Sequence, residues 1–182
     1  MTTMRFNNML KVKGQAGFTL IEMLIVVIVL GILAMIIIPQ ISVSTEDAKL
    51  NTLTTNLGSL RNAVELYYHQ HDSKYPGATK QTDGTATASD AEAIAAFVPQ
   101  MTQYTNSAGV TSTTKVDPFI YGPYLKNTTL PTNPFNNKND VTCDFDEADI
   151  TVRSSAGQDF GWKFYPVTGV LIAGDNGAHD TL

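Results

Sequence analysis

The chain has 182 residues, with twelve Lys and Arg against seventeen Asp and Glu and a formal net charge of −5. That length suits one globular domain beside an anchoring segment, and the acidic balance argues against nucleic acid as a partner, because phosphate contacts need clustered cations. Cys143 is the only cysteine, which excludes an intramolecular disulfide.

The first element is a short basic leader containing Arg5, Lys11 and Lys13 and ending at Gly17. From Phe18 to Ile38 there follow 21 residues in which Glu22 is the only ionisable side chain. At 1.5 Å per residue a helix of that length spans roughly 30 Å, the thickness of a bilayer core. A carboxylate in such a segment is costly and needs a partner, which the rest of the segment does not supply. An ordinary secretory signal has an apolar core of about 7 to 15 residues before its cleavage site; here the core is longer, and Ser42-Val43-Ser44 makes a weak cleavage site. A plain single-pass anchor with the leader held in the cytoplasm also fits the apolar run. Neither accounts for Gly17-Phe18-Thr19-Leu20-Ile21-Glu22 at its head.

Those six residues resemble the processing and assembly motif of type IV pilins and of the pseudopilins of type II secretion, most of all the major pseudopilin. The resemblance implies that a prepilin peptidase cuts between Gly17 and Phe18, that Phe18 is then N-methylated, and that Glu22 guides each subunit into a filament. Cutting creates an α-ammonium on Phe18, and Glu22 of one subunit would pair with that ammonium on a neighbour. The organisation implied is a cleaved leader over 1–17, a membrane and filament-core segment over 18–38, an amphipathic continuation over 39–74 and a periplasmic globular α+β region over 75–182. Loss of the leader leaves nine basic residues against seventeen acidic ones. Many type IV pilins staple a C-terminal loop with a cysteine pair; the single Cys143 leans the resemblance toward pseudopilins.

Pro39 follows the apolar run and is expected to kink the helix there, as in the family resembled. The alternative is a helix end with a new N-cap among Ser42, Ser44 and Thr45. Beyond it Leu50, Leu53, Leu57, Leu60, Val64 and Tyr67 recur at spacings of three and four, which predicts an amphipathic helix lasting to His71. Gly58 costs such a helix about 1 kcal/mol relative to Ala, too little to break it. Tyr75-Pro76-Gly77 reads as a turn, and Ala78 to Ala88, without apolar periodicity, as a surface loop. Ser89 with Glu92 forms a capping-box pattern, and Ile94, Phe97, Val98 and Met101 give one helical face that Pro99 is expected to cut or kink. From Lys115 onward Pro, Gly and Asn punctuate short apolar pieces. Gly161 to Tyr165 and Val170 to Ala173, joined by a turn over Pro166 to Gly169, predict a hairpin within an antiparallel sheet of about three or four strands.

Catalytic signatures are missing: the chain has neither a nucleophile elbow nor a phosphate loop. His69 and His71, two apart on a helix, fall on different faces and read as solvated helix-end residues. Asp144, Asp146, Glu147 and Asp149 lack the spacing of an EF-hand loop and read as a solvated loop. Asp175 and Asp180 are the residues to which the resemblance would bring calcium, since major pseudopilins bind that ion in a C-terminal loop. Asn127-Thr128-Thr129 matches a glycosylation sequon, a pattern short enough to occur by chance.

The expected fold is α+β, a long N-terminal helix, membrane-spanning in its first half and amphipathic in its second, packed on a small antiparallel sheet. The expected function is that of a non-enzymatic pseudopilus subunit held in the bacterial inner membrane by a single pass, with its C-terminal domain in the periplasm. Its partners would be copies of itself, prepilin peptidase, the inner-membrane assembly machinery and lipid, with no nucleic acid. A type IV pilin of a surface fibre for adhesion or motility is the alternative, and a membrane-anchored periplasmic enzyme a third reading.

Overall fold

The computed structural model describes residues 17–182, except for the side chains of residues 36–44. The basic leader up to residue 16 lies outside the described residues; α1 runs through Pro39 to Gln70, so the helix end weighed as the alternative there does not form. The chain divides into two compact units, Met1–Thr45 and Glu46–Leu182. Helix α1, Leu20–Gln70, contributes to both.

Among the described residues of the first unit, the apolar side chains of α1 from Leu20 to Met35 are all exposed. Among the described residues no helix is long and apolar enough to cross a membrane. The expected Phe18–Ile38 span runs past residue 35 into the segment whose side chains lie outside that set.

In the second unit α1 carries the stripe its spacing predicts. Leu53, Leu57, Leu60, Val64 and Tyr67 are buried, whereas Leu50 stays at the exposed rim. The helix stops at Gln70 because Asp72 and Ser73 turn left-handed, and the Ser73 amide donates to the Tyr68 carbonyl at 3.2 Å, closing the last turn. Helix α2, Asp90–Thr102, begins at its Ser89 N-cap, with the Ala88 amide donating to Glu92 Oε2 at 2.9 Å. Pro99 does not cut α2, which continues for three residues beyond it. The lost amide bond is offset because the last turn is anchored from outside. Gln100, fully buried, accepts from the Gly77 amide at 2.7 Å and donates to the carbonyls of Thr79 and Gly109 at 2.8 and 2.9 Å. The same clamp pins the expected surface loop Ala78 to Ala88 at two points. Thr79 and Thr87 are buried, and Thr79 bridges Ala86.

Strands β1, Tyr104–Thr105, and β2, Thr111–Ser112, form a short antiparallel ribbon. Strands β3, Val141–Cys143, β4, Asp159–Tyr165, and β5, Val170–Asp175, form the main sheet in the order β3-β4-β5. The β4–β5 hairpin is as expected, pairing Tyr165 with Val170, but β3 lies parallel to β4, so the sheet is mixed. A tight turn cannot join parallel strands; the irregular connection over 144–158, between the end of β3 and the start of β4, does so. The core is where α1, α2 and this sheet meet, with Phe97 and Phe164 ring centroids 4.7 Å apart and Trp162 fully buried. Cys143 is buried in β3, where burial together with Asp90 and Asp144 pushes its thiol up to about 12, so it is chemically quiet.

Candidate processing and assembly site

Gly17 and Phe18 precede α1 in non-helical backbone and are exposed, with nothing within 4 Å of the position a Cβ on Gly17 would take. An exposed, non-helical peptide bond is one a protease can reach. Immediately after it Thr19 caps α1. The Thr19 amide and hydroxyl both donate to Glu22 Oε2 at 2.7 Å, and the Glu22 amide donates back to Thr19 Oγ1 at 3.3 Å. This is a reciprocal capping box at the head of the apolar helix. The Thr-x-x-Glu spacing that announces it stands in the sequence, but Glu22 there reads only as a charge in search of an ammonium. The box occupies Oε2 and leaves Oε1 for a partner from outside.

His71 is not a solvated helix-end residue. It is buried, stacked on Tyr67 with centroids 3.7 Å apart, with Nδ1 2.8 Å from the Tyr67 carbonyl and Nε2 2.9 Å from Thr105 Oγ1. A carbonyl can only accept, so Nδ1 carries the proton and Nε2 accepts from the Thr105 hydroxyl. Burial holds its pKa below the ordinary histidine value, against the pull of the Tyr67 and Asn106 backbone and of Asp72. His69 is exposed, as expected. In the acidic stretch, Asp144 pairs with Lys163 at 3.4 Å, and the Asp149 carboxyl is held low by the amide and hydroxyl of Thr151.

Asp175 and Asp180 face different partners. Asp180 accepts from the Ser155 amide and, at 2.6 Å, from the Ser155 hydroxyl. Asp175 Oδ2 meets His179 Nδ1 at 2.6 Å, while its Oδ1 is buried without a hydrogen-bond partner. Among the described residues no group of three or more His, Cys, Asp or Glu side chains is placed to hold a metal ion.

The family model for the prokaryotic N-terminal methylation motif matches residues 12–38. Type II secretion system core protein G of Vibrio cholerae is 38% identical over 68 residues, covering 37% of this chain and 46% of that protein. The protein of the same name from Klebsiella pneumoniae is 30% identical over 86 residues, covering 47% and 61%. That from Pseudomonas aeruginosa is 36% identical over 55 residues, covering 30% and 39%. The chain thus spans about half the length of the curated relatives it matches. No solved structure matches it.

Proposed function

We propose that this chain is a structural subunit of a type II secretion pseudopilus, cut between Gly17 and Phe18, N-methylated at Phe18 and drawn into a helical fibre through Glu22. The observation that carries the reading is the head of α1, where an exposed, non-helical Gly17–Phe18 bond leads directly into a helix whose apolar side chains from Leu20 to Met35 are all exposed. A surface of that kind needs lipid or other copies around it. The methylation motif over residues 12–38 and the similarity to core proteins G support the same reading. The subunit would wait in the bacterial inner membrane with its second unit in the periplasm, processed by prepilin peptidase and handled by inner-membrane assembly proteins. It works by assembling rather than by catalysis. Intact mass spectrometry of the membrane-extracted protein tests the first step: loss of the 17-residue leader leaves 165 of the 182 residues, with one added methyl group. A mature terminus at Met1 or near Thr45 overturns the reading.

Calcium at the C-terminal loop is the finer part of the proposal. Its support is Asp175 Oδ1, buried without a hydrogen-bond partner, an oxygen of the hard kind that calcium takes as a ligand. Asp180 would join by exchanging Ser155 for the ion. Binding to the folded state alone stabilises it by about 2.7 kcal/mol at a hundred times Kd, so calcium should raise the melting temperature relative to chelator, and Asp175→Asn should abolish the rise. Identical melting in calcium and chelator removes the ion from the proposal.

A further inference from the structure

Within the second unit, the two ends of its α1 segment carry surfaces of opposite charge. At the start, Glu46, Asp47 and Leu50 line a groove of about 290 Å³ with Phe135 and His179. Glu46 and Asp47 are exposed, and among the described residues neither pairs with a cation. Lys49 sits on the rim with its ammonium 5.9 Å from the Phe135 ring centroid, which leaves Glu46 and Asp47 one carboxylate in excess at the mouth. The groove therefore keeps an acidic mouth over an apolar floor.

At the other end lies the loop that follows β2. It is fastened to the end of α1, since Tyr124 Oη donates to Gln70 Oε1 at 2.7 Å and Tyr121 pairs with Thr105, whose hydroxyl holds His71. On this rigid base the loop presents two apolar side chains, Val116 and Ile120, at 54% and 53% exposure. Lys115 and Lys126 flank them with the exposed Asp117 between, a loop with one cation in excess, and among the described residues neither lysine has a carboxylate partner. From Glu46 to Gln70 the helix rises roughly 36 Å at 1.5 Å per residue, so the two patches lie at opposite ends of the unit.

We propose that the Lys115–Lys126 loop of one copy docks into the Glu46/Asp47 groove of the next, a head-to-tail contact that deepens the filament reading and rests on it. Each surface has what the other lacks: lysines for the acidic mouth, and Val116 and Ile120 for the Leu50–Phe135 floor. Two different patches in contact make a heterologous interface, and repetition of such an interface generates an open helical array rather than a closed pair. The apolar α1 segments of the first unit would bind copies without fixing their register. This charged contact would fix it, since like-charge juxtaposition in any other register is penalised.

The test uses full-length chains co-expressed with the assembly machinery, one copy carrying Asp47→Cys and the other Lys115→Cys; the native Cys143 is buried and stays. Oxidation should give the mixed 47–115 dimer in preference to either same-site dimer. Predominance of the 47–47 or 115–115 species overturns the contact. In a second arm, Glu46→Lys with Asp47→Lys, and separately Lys115→Glu with Lys126→Glu, should each cut the yield of sheared fibre roughly tenfold or more by setting like charges against each other. The fourfold variant should recover it. All four side chains are exposed, so melting temperatures should not change and misfolding is checked directly. Wild-type fibre together with undiminished fibre from either double variant overturns the contact and leaves the filament reading standing. A wild-type chain that forms no fibre sinks both.

Discussion

At the scale of single residues, Glu22 has one observed role and one proposed role, which a single substitution confounds. Its Oε2 closes the capping box with Thr19, and its charge is what the proposed pairing with the Phe18 ammonium of a neighbour needs. Glu22→Leu removes both, whereas Glu22→Gln keeps a side chain that serves the box and removes only the charge. Glu22→Gln should therefore be inserted and cleaved but missing from sheared fibre, while Thr19→Ala, which costs a cap worth about 1 kcal/mol, should still assemble. A Glu22→Gln chain that enters fibre as well as wild type shows that the box, not the charge, matters. His71 offers a separate test in the second unit. Its pKa is lowered in the folded state by burial, so the folded protein refuses a proton that the unfolded chain accepts. Stability is then complete above the unfolded value near 6.5 and is lost as pH falls from there toward the folded pKa. Urea midpoints at pH 7.5 and pH 5.5 should differ more for wild type than for His71→Gln, and equal pH sensitivity would contradict the assignment.

At the scale of elements, the β4–β5 hairpin shows what turn chemistry demands. Gly169 has a φ of +74°, donates to the Tyr165 carbonyl at 2.8 Å, and lies so close under Tyr75 that a Cβ would run into the ring. Gly169→Ala should destabilise the second unit by about 1 to 3 kcal/mol, read as a lower urea midpoint; an unchanged midpoint would mean that Tyr75 swings away freely. This hairpin, the α1 stripe and the Ser89 cap were all legible in the sequence, because each is written in residues a few positions apart. The missed features are of another kind. Pro99 survives inside α2 because Gln100 finds Gly77, Thr79 and Gly109, and β3 runs parallel because Val141 meets Trp162. His71 is buried because Thr105 and Tyr124 close over it. Those partners lie far off along the chain, and no local pattern announces them. At the proposed processing site the reverse holds: six consecutive residues single out Gly17, Phe18 and Glu22, and only the capping contact of Glu22 needed geometry.

At the scale of the whole molecule, the division at Thr45/Glu46 separates two ways of satisfying the hydrophobic effect. Every residue of the described core lies from Leu53 onward, so the second unit covers its own apolar surface. The apolar side chains of α1 from Leu20 to Met35 are all exposed. The second unit is therefore expected to fold without the first. A fragment of residues 46–182 should be soluble without detergent and unfold in one cooperative step, with a stability of about 5 to 15 kcal/mol as expected for a domain of its size. Trp162, fully buried and donating from Nε1 to the Pro131 carbonyl at 2.8 Å, supplies the fluorescence probe. Its urea transition in the fragment should coincide with that of the full chain in a mild detergent. The fragment should also form no fibre, since it lacks both Glu22 and the apolar helix. A fragment that unfolds at markedly lower urea than the full chain would show that the first unit does support the core, and that the two are not energetically separate.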